Sequence, residues 1–124
     1  KKKFLKVKDY LQGSEQLSGK DFLVIVSSLK DGMCLKKIYP TIDFIAPDSE
    51  NTMIKKEYLD NIKTNYKRCY ILFDNDEAGQ KAMLKYWTQF PYLEPLYLQL
   101  SKDISDSVMN YSYQKVKDIL DDQL

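Results

Sequence analysis

Two aspartates that directly follow an apolar run are the residues best placed to do chemistry in this chain. The run covers residues 70–73, and Asp74 and Asp76 come next with a spacing of i and i+2. An apolar run of this length indicates a buried strand, and open parallel sheets bind ligands at the carboxyl ends of their strands. Two carboxylates held at one strand end repel each other unless a cation lies between them. The pattern therefore predicts a Mg²⁺ site with oxygen ligands, and Mg²⁺ normally binds together with phosphates.

Several of the acids in this chain also have a purely structural explanation. Asp76 and Asp106 each suit the N-cap of a following helix, and Asp31 suits the first turn of a helix. Asp74 fits a structural role less well, because it ends an apolar strand where a desolvated carboxylate needs compensation. Capping and ligation stay open for the other three acids, whereas Asp74 is expected to be functional.

Size and composition predict one globular domain. The chain has 124 residues, of which 44% are hydrophobic and 30% charged, and its formal net charge is +1. This charge implies no strong overall attraction to nucleic acid or to a membrane, and no apolar run approaches the length of a membrane span. Residues 1–20 are polar and rich in turn formers, and the first residue is Lys. We therefore expect residues 1–20 to be a leading segment or linker of a longer parent chain, and residues 21–124 to form the domain.

The residue types that are missing exclude several kinds of site. The chain has no His, so a Ser-His-Asp triad and His-ligated metal sites are absent from it. Cys34 and Cys69 match no zinc-binding spacing and are expected to be buried thiols, which suits a reducing compartment such as the cytoplasm. The four Gly residues build neither a G-x-G-x-x-G motif nor a Walker A loop.

Apolar periodicity predicts strands and helices that alternate. Strands are expected over residues 22–26, 42–46, 69–73 and 96–100, and helices over residues 29–38, 54–62, 78–87 and 108–120, with a short ordered piece at Tyr10 and Leu11. Alternation of this kind is typical of a three-layer, Rossmann-like α/β fold with helices on both faces of a parallel sheet, here of about four strands. The order of the strands in the sheet does not follow from the pattern.

Polar residues follow each predicted strand, and a parallel sheet gathers such positions at one edge. They are Ser27, Ser28, Lys30 and Asp31; Asp48, Ser49, Glu50 and Asn51; Asp74, Asn75, Asp76 and Glu77; and Lys102, Asp103, Ser105 and Asp106. Other motifs with two nearby acids fit less well. An EF-hand fails at Ala78 and Lys85, and a haloacid-dehalogenase-type phosphatase, in which Asp74 is the nucleophile, has Thr or Val where this chain has Ala78. A response-regulator receiver domain needs an acidic pair where this chain has Ser27 and Ser28.

The same residues resemble the Toprim domain of primases, topoisomerases and related nucleases. Residues 73–79 fit the primase pattern F-D-x-D-x-A-G at every defined place, and residues 102–106 resemble the K-D-x-x-D element that follows the next strand in primases. Residues 24–31 align with the first Toprim motif, in which a strand precedes E-G-x-x-D. The amino-acid sequences of these segments are most similar to those of primases and primase-helicases of bacteriophages and mobile elements.

The resemblance implies a DNA primase domain that carries out divalent-metal-dependent nucleotidyl transfer. Asp31, Asp74 and Asp76 are then the catalytic acids, and Asp74, Asp76, Asp103 and Asp106 hold Mg²⁺ or Mn²⁺. Lys30 and Lys102 contact phosphate or nucleic acid. The implied partners are a single-stranded DNA template, nucleoside triphosphates, and zinc-binding and/or helicase domains of the parent chain, with no membrane.

One departure from the Toprim motif keeps other functions open. Ser27 stands where the first motif has its Glu, which is a metal ligand or acid–base group in the family, and Ser28 stands where it has Gly. One alternative is a catalytically degenerate Toprim module that binds DNA or a helicase partner. Another is a different enzyme: a Toprim nuclease, a topoisomerase fragment, or a phosphatase that uses Asp74. The segment 102–106, together with Ala78 and Gly79, favours a primase over a topoisomerase.

Overall fold

Five strands and five helices occur in the part of the chain that the computed structural model describes, namely residues 11–12, 22–47, 53–101 and 103–124. The strands are β1 (Leu11–Gln12), β2 (Phe22–Val26), β3 (Asp43–Pro47), β4 (Arg68–Leu72) and β5 (Glu94–Pro95). The helices are α1 (Leu29–Ile38), α2 (Lys56–Ile62), α3 (Glu77–Gln89), α4 (Ile104–Asn110) and α5 (Tyr113–Asp121), with a 3₁₀ turn at Lys63–Asn65.

The strands form one sheet in the order β1-β3-β2-β4-β5. The four strands from β2 to β5 run parallel, and β1 pairs antiparallel with β3 at the edge. In the centre of the sheet Val26 is paired with Leu72, so β2 and β4 end side by side. The predicted α/β fold with a four-stranded parallel sheet is confirmed, and the central pair places the residues after both strands at the same edge.

Alternate strand residues serve two separate cores, which makes the fold three-layered. Leu23 and Ile25 belong to the core under α2 and α3, whereas Val24 and Val26 belong to the core under α1, α4 and α5. All four side chains are at most 1% exposed. Full burial of one such side chain contributes about 1.5–3 kcal/mol. Because both faces are covered, the strands are apolar throughout rather than alternating.

The fourth strand lies earlier in the chain than predicted and is shorter. The strand was expected over residues 96–100, but β5 covers only Glu94–Pro95, after which the amide of Leu96 donates to Ile71 O at 2.8 Å. Tyr97 then bonds to the side-chain amide of Gln123 through both its N–H and its C=O, each at 2.7 Å. Leu96 and Leu98 remain buried. Apolar alternation thus reported burial correctly, but an extended segment can bury side chains without pairing to a strand.

The last predicted helix, residues 108–120, is two helices. Ser112 is extended, and its hydroxyl caps α5 by accepting from the amide of Lys115 at 3.0 Å. Periodicity missed the break because Val108 and Val116 contact the same core on either side of it.

Strand β3 also continues through Pro47 instead of stopping before it. Tyr10 lies outside the described residues, and the domain boundary at residue 21 stays a prediction, although β1 from the leading segment pairs with β3.

Helix α1 packs closely against β3 at Gly32. A Cβ atom added to this residue would lie 2.1 Å from Cδ1 of Phe44, a distance at which the ring must move. The approach is important for the site described below, because Asp31 is the neighbouring residue on α1.

Of the helices in the described ranges, none combines the length and the apolar character needed to cross a membrane.

We expect Gly32→Ala to lower the free energy of unfolding by about 1–3 kcal/mol, as overpacked core substitutions do. Urea denaturation measures this change, and Met33→Ala is the control, since Met33 is the next residue and is 59% exposed. In a Phe44→Leu background the same Gly32→Ala change should cost less, because the ring that the methyl group overlaps is gone. An equal cost in both backgrounds would contradict the packing argument.

Candidate metal centre

Three carboxylates from separate parts of the chain come together at the carboxyl edge of the sheet. Asp31 lies in the first turn of α1, Asp74 follows β4, and Asp103 precedes α4. One oxygen of each lies within 4.8 Å of the others. Two oxygens bound to one Mg²⁺ are at most about 4.2 Å apart, given Mg²⁺–oxygen bonds of about 2.1 Å. The group is therefore close to the geometry that one hard divalent cation needs, and carboxylates are the ligands such a cation prefers.

Asp31 is the most constrained of the three. It is 3% exposed, and its Oδ1 accepts hydrogen bonds from the amide of Ser105 at 3.1 Å and from the Ser105 hydroxyl at 2.9 Å. Its own amide donates to the hydroxyl of Ser28, the N-cap of α1, at 3.2 Å. The two bonds from Ser105 hold the carboxylate in one orientation and attach the first turn of α4 to α1.

The environment of Asp31 disfavours its charged form. Burial raises the pKa of Asp31 above its ordinary value of 3.8, the hydrogen bonds from Ser105 and Ser28 oppose that rise, and the negative charge of Asp103 adds to it. A carboxylate in this situation is stabilised in its ionised form by a nearby cation. The electrostatics therefore agree with the geometry.

Asp74 is held by its backbone. Its amide donates to the hydroxyl of Ser27 at 3.1 Å, which joins the ends of β4 and β2. On the other side, a Cβ atom on Gly79 would lie 2.2 Å from the carbonyl oxygen of Asp74. Only a residue without a side chain permits this contact between α3 and the end of β4. The Gly of the motif thus serves to place α3 directly against Asp74.

Two of the predicted metal ligands lie outside this cluster. Asp76 is the N-cap of α3 and accepts from the amide of Gly79 at 2.7 Å. Asp106 lies in the first turn of α4, and its amide donates to Asp103 at 2.8 Å. Among the described residues the group of close carboxylates contains neither Asp76 nor Asp106. Their roles as metal ligands, and that of Asp76 in catalysis, remain predictions.

The structure places only one of the two predicted phosphate-binding lysines. Lys30 is an exposed residue of α1 next to Asp31. Lys102 and residues 48–51 lie outside the described residues. The contact of Asp31 with Ser105 was not predicted. The two residues are 74 positions apart, so no local sequence pattern indicates that they meet.

Comparison with solved structures identifies the fold. The primase fragment of the bacteriophage T7 primase-helicase protein matches with a TM-score of 0.78 and 16% identity, over 92% of this chain and 49% of that one. A small Toprim domain protein from Bacillus stearothermophilus matches with a TM-score of 0.61 and 20% identity, over 78% of this chain and 85% of that one. The chain has a Toprim fold.

Primases are prominent among the similar structures, as the motifs predicted. The zinc-binding and RNA polymerase domains of the Aquifex aeolicus primase match with a TM-score of 0.69 and 20% identity, over 95% of this chain and 30% of that one. The chain thus spans about half of the T7 fragment and under a third of the Aquifex protein. No protein-family model and no curated protein matches the sequence. The resemblance to primases is therefore confirmed at the level of the fold.

We expect Asp31→Asn to stabilise the protein at neutral pH when divalent cations are chelated. The carbonyl oxygen of Asn can still accept from Ser105, while the buried charge is removed. Because folding raises the pKa of Asp31, the wild type loses stability as the pH rises from about 3.8 through the raised value. The advantage of the variant should therefore grow over that interval and disappear below it.

Urea denaturation over a range of pH, in the presence of a chelator, measures this difference. Asp118→Asn is the control, since Asp118 is an exposed carboxylate on α5. A difference between wild type and Asp31→Asn that does not change with pH would contradict the assignment.

Proposed function

We propose that this chain is the catalytic Toprim domain of a DNA primase, which joins ribonucleotides on a single-stranded DNA template by divalent-metal-dependent nucleotidyl transfer. The observation that carries the proposal is the convergence of Asp31, Asp74 and Asp103 at the carboxyl edge of a Toprim fold. Nucleotidyl transfer needs little covalent participation by the protein, since positioning and charge stabilisation dominate the catalysis. A site built from carboxylates, in a chain without His, suits this chemistry.

The residues of the site divide into ligands and residues that position them. Asp31, Asp74 and Asp103 would hold Mg²⁺ or Mn²⁺, which when bound neutralises phosphate charge and aligns the attacking and leaving oxygens. Ser105 orients the carboxylate of Asp31, and Ser27 orients the backbone of Asp74. Both hydroxyls hold their partners before any substrate arrives, which is how a catalytic site reduces reorganisation.

Substrate and partners follow from the same proposal. Lys30, exposed beside Asp31, would contact a phosphate as a point charge, and Lys102 would do so from its place in the sequence next to Asp103. One similar structure is described as the DnaG primase catalytic domain bound to single-stranded DNA, and another belongs to a primase-helicase. We infer that nucleoside triphosphates and single-stranded DNA bind at this edge, and that zinc-binding and/or helicase domains of the parent chain complete the enzyme.

Ser27 supports a second candidate function, that of a Toprim module without catalysis. Its hydroxyl accepts a hydrogen bond from the amide of Asp74. Ser27 therefore acts as a positioning group where the first Toprim motif has a Glu. A module of this kind would bind DNA or a helicase partner and leave synthesis to another protein. Asp31 weighs against this function, because it supplies a third carboxylate to the cluster without the motif Glu.

We expect Asp74→Asn and Asp31→Asn each to weaken Mn²⁺ binding by about tenfold or more, because each removes a charged ligand. Binding to the 124-residue chain is measured by calorimetry or by the electron paramagnetic resonance of free Mn²⁺. Asp118→Asn should bind as the wild type does. Asp76→Asn is informative because Asn caps helices as well as Asp does, so a loss as large as that in Asp74→Asn would report ligation. Equal binding by the wild type, Asp74→Asn and Asp31→Asn would remove the metal site.

Primer synthesis by the parent protein separates the two functions. A primase should lose activity by a factor of about 100 or more in Asp74→Asn, given the several kcal/mol that a bound metal contributes to phosphoryl transfer, and Ser27→Ala should reduce it less. If the chain is a degenerate module, the wild-type parent protein should already show no primer synthesis. Single-stranded DNA binding without synthesis, in both the wild type and Ser27→Glu, would establish the second function.

A further inference from the structure

A groove of about 390 Å³ opens between α3 and the segment that follows β5. Asp74 lies at one end of this groove, which is therefore continuous with the carboxylate cluster. The volume is in the range of small-molecule sites in proteins, roughly 300–1,000 Å³. Neither the Toprim motifs nor the carboxylate chemistry accounts for this space.

The groove exists because the chain leaves the sheet early. Leu96 still bonds to β4, but Tyr97 bonds to the Gln123 side chain on the outer side. Residues 95–99 and Phe73, which follows β4, line the groove together with α3. The bonds to Gln123 therefore keep one wall in place, so that the groove is part of the folded structure.

The walls carry exposed apolar side chains that most surface positions lack. Trp87 is 47% exposed, Leu84 61% and Tyr97 56%. Gln80, Met83, Leu84 and Trp87 all line the groove, and their spacing of i, i+3, i+4 and i+7 places them along one stripe of α3. Met83 belongs to the buried stripe of the same helix, but Leu84 and Trp87 lie beside that stripe and are exposed, so packing against the sheet does not explain these two apolar side chains.

The polar groups of the groove are mainly amides. Asn75, Gln80 and Gln99 contribute side-chain amides, each with both a donor and an acceptor. Among the described residues that line the groove, Asp74 is the one acid. Aromatic walls combined with amides suit a flat, uncharged, heteroaromatic ligand whose edge carries donors and acceptors. A nucleobase has these properties, and stacking on aromatic side chains is a common way for proteins to bind one.

We propose that this groove binds the base of a nucleotide whose phosphates lie at the cluster of Asp31, Asp74 and Asp103. The inference rests on the proposed function, because it needs a nucleotide at that cluster. Trp87 and Tyr97 supply the stacking surfaces, and Gln80 and Gln99 contact the edge of the base. Asp74 joins the two parts, since it lines the groove and belongs to the cluster.

Trp87 makes the groove directly observable, because it is the only Trp in the chain. The 124-residue chain is titrated in Mg²⁺ with ATP, with adenosine, and with inorganic tripolyphosphate, which carries phosphates but no base. We expect ATP and adenosine to change the Trp87 emission saturably and tripolyphosphate to leave it unchanged. Tyr97→Ala should weaken ATP binding by about tenfold, which is the effect of losing one stacking contact, and should leave Mn²⁺ binding as it is.

Tyr111→Ala is the matched control, because Tyr111 is similarly exposed at 52% and is not among the residues that line the groove. Far-ultraviolet circular dichroism checks the fold of each variant. If Tyr97→Ala does not fold, Leu84→Ala replaces it, since Leu84 lines the same groove and is more exposed.

The outcomes distinguish this inference from the function on which it rests. Normal Mn²⁺ binding, together with an unchanged Trp87 emission in ATP and in adenosine, would overturn the base groove and leave the metal site intact. Loss of the metal site with a saturable response to adenosine would overturn the primase proposal and retain a base-binding groove. A response to tripolyphosphate as large as that to ATP would also overturn the inference, because it would show that phosphate alone moves Trp87.

Discussion

The contact between Asp31 and Ser105 is the interaction on which the rest of the site depends. Through it the buried carboxylate of α1 accepts two hydrogen bonds from Ser105, which lies in the first turn of α4. Asp103 is the N-cap of the same helix, so the contact determines where the third carboxylate lies relative to Asp74. Without it, α1 and α4 would still share an apolar core, but apolar packing alone would not hold their carboxylates close together.

Bringing three acids together is unfavourable, and the fold offsets this cost locally. The carboxyl edge of the sheet is also the edge where α1, α3 and α4 begin, and helix N-termini stabilise negative charge. Asp76 and Asp103 each bind amides of the helix that they cap. Asp31 is buried, and burial raises its pKa although its carboxylate accepts from the amide of Ser105 in the first turn of α4. Protonation or a nearby cation offsets this desolvation.

Two surfaces with different chemistry meet at Asp74, at the carboxyl edge of the sheet. On one side of Asp74 lie the carboxylates, which suit a metal and phosphates. On the other side lies an aromatic groove, whose wall depends on the bonds between Tyr97 and Gln123. A nucleotide has both a charged and a flat apolar part, and Asp74 is where surfaces suited to each part meet.

The sequence by itself determined the layers and the parallel sheet, because these depend on apolar runs, and a short local motif singled out Asp74 as a candidate ligand. It did not determine that β5 is only two residues long or that the last helix is divided, because burial periodicity does not record backbone hydrogen bonds. Tertiary structure alone decided which acids meet. Asp76 and Asp103 both cap helices and look alike in sequence, yet of the two only Asp103 belongs to the carboxylate group with Asp31, since the first turn of α4 is bonded to α1. Such pairings join residues far apart in the chain, where no local pattern can specify them.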